Sequence, residues 1–241
     1  MTERKQYRFS DDGPHAGQRT LTSGSPLSEA SVAMILAHGR GASADDMIGL
    51  GRALADPGVA ILAPQAADYT WYPERFIVPI ERNEPWLSSA LGRLDALVEQ
   101  ALDAGIPASR IIVGGFSQGA CLATEYAARQ ASTRGPLGGV LGFSGGLVGP
   151  PGTDFTYPGT LEGTRVFLGC SDVDAHIPES RVRETAESLR ALGAEVEAVI
   201  YPGIPHTIIE DEIVRGRELV QRVAGNVHPA EAKSGTRENA S

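Results

Sequence analysis

The stretch that decides the fold runs from residue 110 to residue 126 and reads Arg110-Ile-Ile-Val-Gly-Gly-Phe-Ser117-Gln-Gly-Ala-Cys-Leu-Ala-Thr-Glu-Tyr126. Its apolar, β-branched beginning is typical of a buried strand, and its Ala- and Leu-rich end is typical of a helix. Between them lies Gly115-Phe116-Ser117-Gln118-Gly119, a G-x-S-x-G sequence at the turn from strand to helix. This context predicts a nucleophile elbow, in which a serine holds a strained backbone conformation between small residues.

A second G-x-S-x-G sequence, Gly142-Phe143-Ser144-Gly145-Gly146, shows that the motif alone is weak evidence. It too follows an apolar run, but it leads into Leu147-Val-Gly-Pro-Pro-Gly152, which cannot continue as a helix. We therefore interpret Ser144 as the end of a strand that opens into a loop, and Ser117 as the candidate nucleophile.

Composition sets the limits on class and partners. The chain has 241 residues and ordinary apolar content, which favours one domain with a sizeable core. We expect this domain to span residues 31–226, between an N-terminal edge segment (1–30) and a disordered tail (227–241). The net charge of −9 argues against nucleic acid or an anionic membrane as a partner.

No targeting or metal-binding signal stands out. No apolar segment is long enough to span a bilayer, and no apolar stretch follows the basic N-terminal residues as it does in a secretory signal. The two cysteines, Cys121 and Cys170, have no metal-ligand spacing. A reduced, cytoplasmic protein without a metal is therefore expected.

Apolar β-branched runs and helical periodicities alternate along the chain. Strands are predicted at residues 31–38, 59–62, 110–116, 138–143, 164–170 and 196–201, and helices at 43–54, 87–102, 118–126, 182–192 and 208–224. This alternation predicts an α/β fold, with a mostly parallel sheet covered by helices on both faces. Such a sheet places its site at the carboxyl ends of its strands.

A serine nucleophile needs a base, and a third group that orients the base. In elbow-type hydrolases the chain order is Ser, acid, His. Of the five histidines, His206 follows the last predicted strand and is the expected base, with His176 the weaker candidate because it lies so close to the acids. His38 precedes Ser117, and His15 and His228 are predicted to be surface residues.

The acid is Asp172 or Asp174, both of which follow the strand that ends at Cys170, and spacing alone does not separate them. An oxyanion on the substrate needs preorganised N–H donors. One is expected from the backbone of Gln118, directly after the nucleophile, and the other from the backbone of Arg40 in the glycine-rich loop after the first strand. The guanidinium of Arg40 is expected at the pocket mouth, where it could pair with a carboxylate or phosphate.

Two long loops leave the same predicted sheet edge and are expected to form the substrate pocket. Residues 64–84 have no clear period and contain Trp71, Tyr72 and Phe76, which we expect to wall the pocket together with residues 147–160. An alternative stays open, in which Trp71 and Phe76 pack beneath their own loop.

Four motifs in this order resemble the phospholipase/carboxylesterase family of α/β-hydrolases, which includes bacterial carboxylesterases and acyl-protein thioesterases. They are His38-Gly39-Arg40-Gly41, Gly115-Phe-Ser-Gln-Gly119, Asp174-Ala-His-Ile-Pro178 and Gly203-Ile-Pro-His206-Thr, within a similarity over residues 32–224. The family's Asp-x-x-Val-Pro pattern matches the third motif, which favours Asp174 as the acid. Its usual His-Gly before this pattern is replaced by Cys170-Ser171. The resemblance implies an α/β-hydrolase fold without a separate cap domain.

These residues and the resemblance together predict a serine hydrolase that cleaves small-molecule carboxylic esters through an acyl-enzyme. Ser117 attacks the acyl carbon, His206 acts as base and then as acid, and Asp174 fixes the imidazole tautomer. No cofactor is implied. Thioester or lactone hydrolysis by the same triad stays open, as do a non-catalytic ligand-binding homologue and a homodimer.

Overall fold

One sheet organises the computed structural model, which describes residues 7–225. Its seven strands are β1 (Thr20–Gly24), β2 (Val32–Ala37), β3 (Val59–Pro64), β4 (Ile111–Phe116), β5 (Gly139–Phe143), β6 (Arg165–Ser171) and β7 (Glu195–Tyr201). They are ordered β1-β3-β2-β4-β5-β6-β7. Only β1 runs antiparallel to its neighbour. The tail predicted to be disordered, and His228 within it, lie outside the described residues.

Helices cover both faces of the sheet, as the alternating pattern predicted. They are α1 (Ala44–Leu54), α2 (Trp86–Asp103), α3 (Gln118–Gln130), α4 (Glu179–Ala191) and α5 (Glu210–Ala224). Successive residues of β2 point to opposite faces, so that Ile35 packs in the core with α2, α3 and α4, whereas Met34 packs in the core with α1 and α5. The predicted α/β class is confirmed. Within residues 7–225, no helix combines the length and the apolarity needed to cross a membrane.

Local sequence signals explain where the helices begin. Ser43 precedes α1, and its backbone N–H donates to the carboxylate of Asp46 at 2.8 Å, so the predicted cap is present. At α5 the carboxylate of Glu212 accepts the backbone N–H of Ile209 at 2.9 Å. That helix begins at Glu210, two residues later than its apolar periodicity predicted.

The N-terminal segment contributes β1, an edge strand that pairs with β3. The prediction that His15 is a surface residue was wrong, because its side chain is completely buried. His15 Nδ1 accepts the backbone N–H of Ala67 at 3.1 Å, so Nε2 carries the proton and donates to the carbonyl oxygen of Trp71 at 2.9 Å. Burial, the main cause, lowers the pKa of His15 and favours this neutral form. The polar composition of the segment indicated exposure, because the partners of His15 lie more than 50 positions away in sequence and could not be predicted from it.

The strand order creates a crevice beside β2. The chain passes from β2 to β3 on one side, whereas β4 lies on the other side of β2. Loops that follow β2 and β4 therefore diverge at the carboxyl ends of the strands, where ligands bind in open parallel sheets. The loop that starts at Gly39 follows β2, and Ser117 follows β4.

Candidate active site

The turn at Ser117 has the strand-turn-helix geometry of a nucleophile elbow. Ser117 lies between β4 and α3 with φ 55° and ψ −117°, a conformation that L residues rarely adopt. A Cβ atom at Gly119 would lie 2.0 Å from the carbonyl oxygen of Ala37, and one at Gly115 would lie 2.3 Å from the same atom. Only glycine therefore lets the elbow pack directly against the end of β2.

The second motif folds differently. Ser144 follows β5 and also has a positive φ, of 51°, but no helix begins there. It is 2% exposed, and its backbone N–H donates to the carbonyl oxygen of Gly169 at 2.7 Å. Ser144 thus ends a strand that opens into a buried loop, in agreement with its sequence context.

His206 lies in the loop after β7, and its imidazole Nε2 is 2.9 Å from Ser117 Oγ. On the other side of the ring, Nδ1 is 2.6 Å from Asp174 Oδ2. An ionised carboxylate only accepts hydrogen bonds. The proton therefore sits on Nδ1, and Nε2 is left to accept the hydroxyl proton of Ser117.

The Asp174 side chain is completely buried behind His206. Burial opposes its ionisation, but hydrogen bonds from His206 and from the backbone N–H groups of Ile177 and His176 outweigh burial and hold the pKa of Asp174 below its usual value. Those two N–H groups donate to Oδ1 at 3.0 and 2.8 Å. Asp174 therefore stays ionised and oriented toward the imidazole.

Asp172 has another partner. Its Oδ1 accepts the backbone N–H of Gly203 at 2.7 Å, which ties the loop after β6 to the loop after β7. Asp172 thus supports the loop that carries His206, whereas Asp174 contacts His206 directly. The Cys170-Ser171 pair that replaces the family's usual His-Gly lies at the end of β6 without moving Asp174 away from the imidazole.

Two aromatic rings pack against the imidazole of His206. The Phe116 ring lies 4.8 Å from it at 33°, and the His176 ring also lies 4.8 Å from it, at 57°. These ring contacts restrict rotation of the imidazole away from Ser117.

The backbone N–H groups of Gln118 and Arg40 are the candidate oxyanion donors. Gln118 is the first residue of α3, where the helix dipole and free N–H groups favour an anion. Among residues 7–225, neither N–H is used in a hydrogen bond to another protein group. Both residues also line the cavity beside Ser117.

Their side chains have a separate task, which is to hold the segment of residues 70–74. Gln118 Oε1 accepts the backbone N–H of Trp71 at 2.9 Å, and Nε2 donates to the carbonyl oxygen of Tyr72 at 2.8 Å. The Arg40 guanidinium donates to the carbonyl oxygens of Pro73 and Glu74 at 2.8 and 2.6 Å. One N–H of each terminal nitrogen is thus used to hold this backbone segment.

A cavity of about 300 Å³ opens in front of Ser117. It is lined by Gly39, Arg40, Ala42, Tyr72, Arg75, Phe76, Phe116, Ser117, Gln118, Cys121, His176, Ile177 and His206. Of the three aromatic residues expected to form the pocket, Tyr72 and Phe76 line it. Ligand cavities of this size, mostly apolar with a few polar groups, suit small organic molecules.

The expectation that Trp71 lines the pocket was wrong. Trp71 is completely buried beneath its own loop, where its indole Nε1 donates to the carbonyl oxygen of His38 at 2.8 Å. Its ring packs against the rings of His15 and His38, with centroid distances of 5.3 and 5.1 Å. Trp71 therefore supports the cavity wall from behind, the alternative that its sequence had left open.

Residues 147–160 do not line the cavity either, contrary to expectation. The backbone N–H of Gly149 donates to the carbonyl oxygen of Phe76 at 2.9 Å. The buried guanidinium of Arg181 donates to the carbonyl oxygens of Leu147 and Gly149 at 2.7 and 2.8 Å. This loop is thereby tied down behind Phe76.

The cysteines are unsuited to act as nucleophiles. Burial is the main cause that raises the pKa of Cys121 to about 12, and the pKa of Cys170 likewise to about 12. Both thiols are therefore protonated at neutral pH, and a thiol is a much weaker nucleophile than a thiolate.

The lining residues that were not predicted to form the pocket include Arg75, Phe116 and His176, the last of which had been considered only as a base. His176 could have been found, because it lies two residues after the acid in a turn closed by the acid's own carboxylate. Phe116 is the variable residue before the serine in the elbow motif. Arg75 carries no local signal beyond its place between Tyr72 and Phe76.

Comparisons with known proteins identify the family and the fold of the chain. A family model described as phospholipase/carboxylesterase matches residues 23–222. A phospholipase/carboxylesterase of known structure from Dyadobacter fermentans is 40% identical, with a TM-score of 0.81 over 88% of this chain and 99% of that one. The Bacillus cereus carboxylesterase, 17% identical with a TM-score of 0.66 over 86% of this chain and 95% of that one, shares the fold.

A curated relative, acyl-protein thioesterase 1 from Gibberella zeae, is 33% identical over 119 residues, which are 48% of this chain and 49% of the relative. The chain thus spans about half the length of this curated relative.

Proposed function

The chain belongs to the phospholipase/carboxylesterase family of α/β-hydrolases, and from that premise we propose that it is a serine hydrolase that cleaves carboxylic esters. The family inferred from the four motifs is thereby confirmed. The proposal depends on one observation, the continuous hydrogen-bonded path from Ser117 through His206 to Asp174 at the side of an open cavity.

The first half-reaction transfers the acyl group of the ester to Ser117. As Ser117 Oγ bonds to the acyl carbon, its proton passes to His206 Nε2, and the buried carboxylate of Asp174 stabilises the resulting imidazolium. Charge on the former carbonyl oxygen is met by the N–H groups of Gln118 and Arg40. The imidazolium then returns the proton to the leaving alkoxide, which leaves an acyl-enzyme.

The second half-reaction repeats these steps with water. His206 removes a proton from the water, whose oxygen bonds to the acyl carbon of the acyl-enzyme. Collapse of the second oxyanion breaks the bond to Ser117 Oγ, which regains its proton from His206. The carboxylic acid is released, and no cofactor takes part in either half.

Thioester hydrolysis is the second candidate, since curated relatives bear the name acyl-protein thioesterase 1. The same groups would serve, because a thiolate is an easier leaving group than an alkoxide. The cavity of about 300 Å³ favours substrates with small acyl groups in either case, since it lies at the lower end of the range for ligand sites.

A fluorophosphonate probe tests the proposal directly. We expect the wild-type chain to be labelled at Ser117, and Ser117→Ala to lose both labelling and hydrolysis of p-nitrophenyl acetate while its circular dichroism spectrum is retained. Ser144→Ala is the matched control and should keep most of its activity. A wild type that is folded but neither labelled nor active would instead favour a non-catalytic binding protein.

A further inference from the structure

The mouth of the cavity is cationic, although the chain as a whole carries a net charge of −9. Two arginines, Arg40 and Arg75, line it together with His176, and no aspartate or glutamate is among the lining residues. In an acidic protein this local reversal of charge would draw anionic molecules toward the cavity.

The two arginines differ in how far their donors are occupied. The terminal nitrogens of Arg40 each bond a backbone carbonyl oxygen. Arg75 is exposed, and its Nη2 makes one long hydrogen bond, 3.4 Å, to the carbonyl oxygen of His176 across the mouth. The nearby carboxylate of Glu74 is bonded to Arg82 instead, at 3.0 Å.

The ionised acid of the site does not itself line the cavity. The Asp174 side chain has no exposed surface and lies behind His206, where its oxygens accept hydrogen bonds from the imidazole and from two backbone N–H groups. An anion in the cavity would therefore meet the Arg75 guanidinium without a competing carboxylate from the lining residues.

We propose that Arg75 is a specificity-determining residue, and that the preferred substrates are small esters with a carboxylate or phosphate group close to the scissile ester bond. The inference rests on the proposed ester hydrolysis and names its substrate class. A guanidinium presents paired N–H donors that match the geometry of either anion, and such charge-assisted bonds are among the stronger ones. Arg75 and Ser117 line the same cavity of about 300 Å³, so an ester attacked by Ser117 can place an anionic group beside the guanidinium.

The test uses pairs of esters that differ in charge and little in size. On the acyl side, p-nitrophenyl hydrogen glutarate is compared with p-nitrophenyl pentanoate. On the alcohol side, 4-acetoxybenzoate is compared with its neutral methyl ester. A third probe, 4-acetoxyphenyl phosphate, distinguishes phosphate from carboxylate recognition. The kcat/KM of each is measured with the full chain at low salt, after subtraction of uncatalysed hydrolysis.

Arg75→Gln removes the guanidinium and keeps an uncharged polar side chain. Arg110→Gln is the matched control, since Arg110 is exposed and precedes β4 at the end of the strand opposite to Ser117. In at least one pair we expect the wild type and Arg110→Gln to favour the anionic ester by about tenfold, and Arg75→Gln to lose that preference while its kcat/KM for the neutral ester stays within about twofold.

The ratio of kcat/KM for the anionic ester to kcat/KM for the neutral ester distinguishes a loss of specificity from a loss of folding. A general loss of folding in Arg75→Gln would lower both rates and leave their ratio unchanged, which would count against the inference. So would a wild type that hydrolyses neutral esters without favouring any anionic one. If the wild type hydrolyses none of these esters, the proposed function itself fails, and the substrate class falls with it.

Discussion

The side chain of Gln118 is hydrogen-bonded to the backbone of Tyr72, with Nε2 donating to the carbonyl oxygen at 2.8 Å. The residue after the candidate nucleophile therefore fixes the position of a residue that lines the cavity. Its own backbone N–H, at the start of α3, has no hydrogen-bond partner among residues 7–225. The cavity wall and the candidate oxyanion site are thus joined through one side chain, so a substitution that displaces one is expected to displace the other.

Arg40 offers a way to separate backbone from side chain. Arg40→Ala keeps the backbone N–H, so turnover of p-nitrophenyl acetate should stay within about tenfold of the wild type, a change of about 1.4 kcal/mol in the barrier. The remaining loss would come from the carbonyl oxygens of Pro73 and Glu74, which lose their donor. A fall in kcat of roughly 10²–10³-fold, typical of a lost oxyanion donor, would show that the side chain itself acts in catalysis.

The assignment of the acid can be tested with two isosteric substitutions. Asp174→Asn should lower kcat by roughly 10⁴-fold, because the amide no longer selects the tautomer with the proton on Nδ1. Asp172→Asn should cost far less, since its Oδ1 can still accept the N–H of Gly203. Steady-state kinetics of both variants decide the matter, and a larger loss at position 172 would reverse the assignment.

Substitution by alanine should change the stability in opposite directions at Gly119, in the elbow, and at Gly49, in α1. Gly119→Ala places a Cβ atom 2.0 Å from the carbonyl oxygen of Ala37, so we expect a strong loss of both stability and activity. Gly49→Ala lies on an exposed helical position with no neighbour within 4 Å, and it should raise the free energy of unfolding by roughly 0.5–1 kcal/mol. Urea denaturation checks both, and a well-folded, active Gly119→Ala would contradict the close packing of the elbow.

Glu212 should make stability depend on pH near neutrality. Burial, the main cause, raises the pKa of Glu212 from 4.5 to about 7, and among residues 7–225 its Oε1 has no hydrogen-bond partner. The folded chain then holds a proton that the unfolded chain releases. Its stability should therefore fall as the pH rises from about 4.5 to about 7.

The substitution Glu212→Gln removes this titration and keeps an acceptor for the N–H of Ile209. We expect it to raise the free energy of unfolding by about 1–3 kcal/mol at pH 8 and by much less at pH 5. Urea denaturation at both pH values measures the difference. Glu210→Gln, at an exposed position in the same turn, is the control. An equal effect at both pH values would rule out titration of Glu212 as the cause.

Most of the sheet could be predicted because its strands are continuous apolar runs, a pattern that depends only on local sequence. Ser117 and His206 were chosen on similarly simple grounds, the strand-to-helix context of one and the chain order of the other. Asp174 was different. Spacing left it equal to Asp172, and only the family resemblance favoured it, since the contact with His206 joins residues 32 positions apart.

Side-chain directions in the long loops could not be predicted. Trp71 and Arg75 lie four positions apart in a segment without periodicity, yet one is completely buried and the other is exposed at the cavity. The direction of Trp71 is set by the carbonyl oxygen of His38, 33 residues away in sequence. The sequence shows that a tryptophan is present, but the hydrogen-bond partner that orients its side chain is brought close only when the chain folds.

The placement of His206 after β7 has a consequence for how activity is lost on heating. Among the described strands β7 pairs only with β6, and none of its residues is buried, whereas β2 and β4 at the centre are almost entirely buried. Edge elements with few buried groups open at lower free energy than the core. Warming that loosens β7 would withdraw the base from Ser117 while the central strands stay paired. Heat inactivation should then precede melting of the secondary structure. Hydrolytic activity would be lost at a lower temperature than the circular dichroism signal.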